Sequence, residues 1–158
     1  MIVHILLIFG VIVTEDIVKL SEEDVRFALN TIDKGTRECN FDKATKYYRP
    51  YTSFYAYESG IRISEHKFVE IENLFLQMME KCSYEVVNEY KSEVKIIVNK
   101  DGQKAFSLSE LEYDMKYTYG GNSVVYREKI EAKAEFQIIN NQLVVVENHW
   151  KIISKYKI

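Results

Sequence analysis

The stretch YEVVNEYKSEVKIIVNKDGQKAFSLSELEYDMKYTY, residues 84–119, decides the architecture. In its first half Tyr84, Val86, Asn88, Tyr90, Ser92, Val94, Ile96 and Val98 alternate with Glu85, Glu89, Lys91, Glu93 and Lys95. A period of two places successive side chains on opposite faces of a strand, so one face is predicted to be buried and the other wet. Asp101-Gly102 then supplies the pair that a two-residue hairpin turn favours, because both central residues of such a turn take positive φ. The run beyond it returns antiparallel, with Ala105, Ser107, Ser109, Leu111, Tyr113, Met115 and Tyr117 inward and Glu110, Glu112, Asp114 and Lys116 outward. Asp114 is thereby expected to be solvated.

Downstream, Gly120-Gly121-Asn122 makes the next turn, and Val124, Tyr126, Ile130, Ala132, Ala134, Phe136 and Ile138 form the core face of a third strand. Arg127, Lys129, Glu131, Lys133 and Glu135 lie opposite. Asn140-Asn141-Gln142 is read as a hairpin leading into a final strand from Leu143. The alternative, a bulge before a turn at Glu147-Asn148-His149, would make a strand far beyond the usual length.

Upstream, Ser21 followed by Glu22, Glu23 and Asp24 gives a cap and three acids at the positive end of a helix dipole. Val25, Ala28, Leu29 and Ile32 form its apolar stripe, and Gly35 weakens it near its end. Asn40-Phe41-Asp42 starts a short second helix over Lys43 to Tyr48, which stops before Pro50. Tyr51 to Tyr57 is an aromatic strand, Glu58-Ser59-Gly60 a turn, and Ile61 to Ile63 a short returning strand. Ser64 is read as the cap of a third helix, with Phe68, Ile71, Leu74, Phe75, Met78 and Met79 as its apolar face.

The chain has 158 residues, the size of one domain. Its 47% hydrophobic and 28% charged residues indicate neither disorder nor a fibrous repeat. A formal net charge of -3, without a basic stripe, argues against a nucleic-acid partner. Met1 to Val13 is apolar except for His4, too short to span a bilayer and of the length of a signal-peptide core, though it lacks a basic leader and a clear cleavage site. The expected division is an apolar segment at 1–16 and a domain at 17–158, with export to a secreted or periplasmic location. The alternative is a cytoplasmic protein in which this segment packs on the domain. Cys39 and Cys82 each end a predicted helix, so they either bridge or are buried as free thiols.

The order of helix, short helix, aromatic strand, helix and four-stranded meander resembles the nuclear transport factor 2-like superfamily, which includes the SnoaL-like proteins. The resemblance is carried by Tyr47-Tyr48-Arg49-Pro50-Tyr51, Gly60-Ile61-Arg62-Ile63-Ser64 and Glu147-Asn148-His149-Trp150-Lys151-Ile152, and it covers Val18 to Ile158. It implies an α+β, cystatin-like fold: a cone of curved antiparallel sheet over three N-terminal helices, with an internal cavity and homodimers across the outer sheet face. It also includes enzymes such as ketosteroid isomerase, whose general base is an Asp on the first strand. Here that position falls near Ala56, with no carboxylate, and Glu58 stands two residues further on.

No set of residues has the spacing of a known catalytic or metal motif, and neither cofactor nor metal is expected. Of the chain's 12 tyrosines, Tyr48, Tyr55, Tyr57, Tyr113 and Tyr117, with Asn88, His149 and Trp150, are the expected lining of the cavity. Ring-rich, uncharged walls with a few hydroxyl donors fit a flat apolar or aromatic molecule. His66 is expected to be solvated at the start of the third helix. Two functions follow: a small-molecule-binding or dimeric accessory module, or an isomerase, cyclase or dehydratase using tyrosine hydroxyls and His149.

Overall fold

The structure is a computed structural model that describes residues 18–158. The apolar segment Met1 to Val13 and the boundary after residue 16 lie outside the described residues. Nine elements follow one another: α1 (Glu22–Arg37), α2 (Phe41–Thr45), β1 (Ser53–Glu58), β2 (Ile61–Lys67), α3 (Phe68–Lys81), β3 (Tyr84–Val98), β4 (Lys104–Tyr119), β5 (Asn122–Ile139) and β6 (Gln142–Lys157). All six strands form one sheet in the order β2-β1-β6-β5-β4-β3. Every pairing is antiparallel except that of β1 with β6, which brings the aromatic strand alongside the last one.

Ser21 caps α1 as its sequence predicts: its hydroxyl accepts from the Asp24 N–H, and the Asp24 carboxylate accepts from the Ser21 N–H at 2.8 Å. Asn40 caps α2 in the same manner, accepting from the Lys43 N–H, but this helix ends at Thr45, three residues before Tyr48. The Asn140-Asn141 hairpin is present, with both residues at positive φ, and β6 begins at Gln142.

Ser64 does not cap a helix. Residues 64–67 continue β2, pairing with Ala56, Tyr55, Phe54 and Ser53, so β1 takes up the backbone groups that a helix start would need to satisfy. The helix begins one residue after Lys67, whose N–H donates to the Glu70 carboxylate. His66 accordingly sits on β2, exposed as expected but on a strand.

The helices lie on one face of the sheet. Leu20, Val25, Ala28, Tyr48 and Phe68 meet Ala105, Phe136, Leu143 and Val145 in a single core. Cys39 and Cys82 are joined by a disulfide, so the ends of α1 and α3 are tied together, and the reading of two free thiols is set aside. Tyr84 reinforces this corner by donating its hydroxyl to the Thr36 carbonyl.

Candidate functional site

Strand register decides which side chains share the helix side. Ala105 pairs with Phe136 inside the core, so residues in step with them on β4 and β5 face the helices. Tyr113 and Tyr117 do so, as expected. Trp150 pairs with both Ala132 and Ala56 on that side and is 39% exposed. Tyr48 is a core residue: its ring meets Phe54 edge-on at 5.0 Å, and burial pushes its pKa up to about 12.

Three expected lining residues occupy the other side. Tyr55 is paired with His149, Tyr57 with Lys151, and His149 with Lys133, all in step with the outward Glu131 and Glu135. The placement follows from the parallel pairing of β1 with β6, which alternation within one strand does not reveal. The three are nevertheless brought together. The Tyr55 and His149 rings stack at 4.5 Å, the Tyr57 hydroxyl lies 3.0 Å from His149 Nδ1, and Glu147 Oε2 lies 3.2 Å from Nε2. Tyr57 and His149 border an open outer depression of about 380 Å³ that also includes Gly60, Glu131, Lys133 and Lys151.

Asn88 and Tyr90 are likewise displaced to the outer face. Register shifts after Val86 and after Glu89 each break the alternation, so Asn88 pairs with Asp114. There Asn88 Nδ2 and the Tyr90 hydroxyl donate to Asp114 Oδ2 at 3.1 and 2.7 Å, while Arg127 reaches both carboxylate oxygens at 2.8 and 3.2 Å. Asp114 faces outward as predicted but is not solvated: it is 1% exposed beneath this cluster. The Arg127 guanidinium, with help from Tyr90 and Asn88, holds its carboxyl well below the usual aspartate range.

The expectation of an uncharged inner lining fails at Glu128. This residue shares the parity of Val124, Tyr126 and Ile130, and it is 5% exposed on the helix side. The Tyr117 hydroxyl donates to Glu128 Oε1 at 2.8 Å, and the Lys155 ammonium lies 2.8 Å from the same oxygen. That ammonium also stands 4.7 Å from the Tyr117 ring centre and 4.8 Å from that of Tyr126. Tyr113, 7% exposed, pairs with Glu128 across the strands.

Burial raises the pKa of both Tyr113 and Tyr117, and the Glu128 carboxylate raises them further. Both phenols therefore stay protonated and available as donors across the physiological range. Among the described residues Glu128 Oε2 and the Tyr113 hydroxyl have no hydrogen-bond partner, yet no fully buried polar side-chain atom is left unsatisfied. Tyr113, Tyr117, Tyr126, Glu128 and Lys155 thus form one cluster of rings and opposite charges on the helix side of the sheet, close enough to Asp33 and Arg37 of α1 for their charges to act on Tyr113.

No family model matches the chain, and no curated protein matches it by sequence. Solved structures do match in shape. A ketosteroid isomerase-like protein from Erwinia carotovora atroseptica has a TM-score of 0.58 at 12% identity, over 85% of this chain and 99% of its own. An NTF2-like protein with a cystatin-like fold from Novosphingobium aromaticivorans gives 0.55 at 9%, over 84% and 81%. Hexachlorocyclohexane dehydrochlorinase from Novosphingobium barchaimii gives 0.58 at 8%, over 86% and 91%. At such identities the likeness speaks for architecture and not for activity. The order of elements, the curved six-stranded sheet and the helices gathered on one of its faces give this chain the nuclear transport factor 2-like, cystatin-like fold.

Proposed function

We propose that this chain is a small-molecule-binding module and that the cluster of Tyr113, Tyr117, Tyr126, Glu128 and Lys155 on the helix side of the sheet lines its binding recess. The observation that carries this reading is the buried Glu128 carboxylate, pinned through one oxygen by Tyr117 and Lys155 while the other has no partner among the described residues. Aromatic walls supply area for a flat apolar body, and a few fixed polar atoms set its orientation.

Binding is favoured over turnover by what accompanies Glu128. Its immediate polar neighbours are a lysine paired with it and phenols whose pKa values are raised, away from the neutral range where a general base works best. Ala56, on the helix side of β1 against Trp150, offers no carboxylate where the isomerase resemblance would place one. Glu58 stands at the exposed end of the same strand.

The test is ligand-observed and tyrosine-resolved NMR with small flat phenols such as 4-propylphenol. Binding that shifts Tyr113, Tyr117 and Tyr126 and is weakened by Tyr117→Leu supports the assignment. Shifts confined to Tyr55 and Tyr57 would move the site to the outer depression, and the absence of any binding would remove it. Native mass spectrometry of the purified protein reads the same question from any molecule that it retains.

A further inference from the structure

Lys155 occupies a set of contacts that would serve a ligand equally well. Its ammonium has a buried carboxylate oxygen at 2.8 Å and two tyrosine rings with centres at 4.7 and 4.8 Å. Faces of aromatic rings attract cations through their quadrupole, and the attraction strengthens when water is excluded. Carboxylate and rings together form an ammonium cage, filled here by the protein's own side chain.

We infer that this cage is an ammonium-recognition site, with Lys155 as a resident occupant that an amine ligand carrying a flat aromatic body displaces. The inference rests on the recess being the binding site and adds the charge of what it binds. Displacement asks little of the fold. The Lys155 side chain is 38% exposed and hangs on a flexible four-carbon stem, so rotation about its own bonds carries the ammonium into solvent while the backbone pairing with Glu128 stays intact.

Selectivity follows from what is left behind. Once Lys155 swings away, Glu128 is a buried carboxylate, 6% exposed in its side chain, with one phenol as partner. An unpaired buried charge is strongly unfavourable, so a neutral molecule that evicts the lysine leaves that penalty standing and a cationic one removes it. Glu128 Oε2 and the Tyr113 hydroxyl, without partners among the described residues, provide further polar contacts for the amine or for a group beside it.

The experiment compares tyramine with 4-propylphenol, which replaces the ammonium by a methyl group, on wild type, Lys155→Met and the double variant Glu128→Gln/Lys155→Met. Calorimetry gives affinities and thermal melts give stability. Tyramine is expected to bind Lys155→Met at least about tenfold tighter than wild type, and about tenfold tighter than 4-propylphenol binds that variant. It should also raise the melting temperature of Lys155→Met, a readout available even where that variant is weakened. The double variant, with both charges removed, should lose the preference for tyramine.

Equal binding of the two compounds to Lys155→Met overturns the ammonium assignment and leaves the recess as a site for neutral molecules. Failure of both compounds to bind any of the three proteins overturns the recess as well. A tyramine preference that survives in the double variant places the cation somewhere other than Glu128 and also sinks the inference.

Discussion

Gly35 stands within α1 where the backbone of α2 comes closest. A Cβ placed on it would lie 2.3 Å from the Ala44 nitrogen and 2.7 Å from the Lys43 carbonyl carbon, both backbone atoms that cannot rotate aside. What weakens the helix in isolation is thus what permits the two helices to pack. Gly35→Ala improves helix propensity by up to about 1 kcal/mol. It should nevertheless destabilise the protein by about 1–3 kcal/mol, the usual range for forcing extra volume into a packed site, as read by urea denaturation. Asp114 makes a prediction in pH. Its folded-state pKa is lowered, chiefly by Arg127, so its ionised form stabilises the fold above the ordinary aspartate range, and this contribution is lost as pH falls through that range toward the folded value. Denaturation midpoints measured against pH should show wild type losing stability below about pH 4, where unfolded aspartate begins to protonate. Asp114→Asn should be weaker than wild type at neutral pH, with the gap closing on acidification.

The start of α3 shows how a strand pairing overrides a local cap signal. Ser64 has the right chemistry to cap, but its backbone is already committed to Ala56, and Glu70 satisfies the Lys67 N–H instead. Glu70→Ala should therefore cost about 0.5–1 kcal/mol, the usual worth of such a terminal bond. Ser64→Ala should stay within about 0.5 kcal/mol, as an ordinary substitution outside a cap does; thermal melts of the two variants decide between the assignments. The same contrast describes what was legible in the residues. Alternation in β4 and β5 places Tyr113, Tyr117, Ile130 and Phe136 correctly, and it also places Glu128, whose parity with Tyr126 was the signal that the inner wall carries an acid. Alternation in β3 misplaces Asn88 and Tyr90, because each bulge adds a residue that its partner strand does not match. The faces of Tyr55, Tyr57 and His149 depend on a parallel pairing between segments more than 90 positions apart in the chain, which no local pattern encodes.

At the scale of the molecule the disulfide is the main covalent constraint on the helix layer. It closes a span of 43 residues that contains α2, β1, β2 and α3. By loop-closure entropy such a cross-link is worth about 4 kcal/mol, so reduction, or Cys39→Ser with Cys82→Ser, should lower the unfolding free energy by up to that amount. Denaturation with and without reductant measures it, and an unchanged midpoint would mean that the sheet and core alone set the stability. Bridges of this kind persist in oxidising surroundings. Among the described residues the strand order leaves β3 as one margin of the sheet, its outer side paired with no other strand. Its two bulges interrupt the even spacing of the backbone groups there, and Lys91, Glu93 and Lys95 add charges along the same stretch. An incoming extended peptide finds no continuous register along the full length of such a margin, so the irregularity that moved Asn88 outward also works against edge-to-edge self-assembly through this rim.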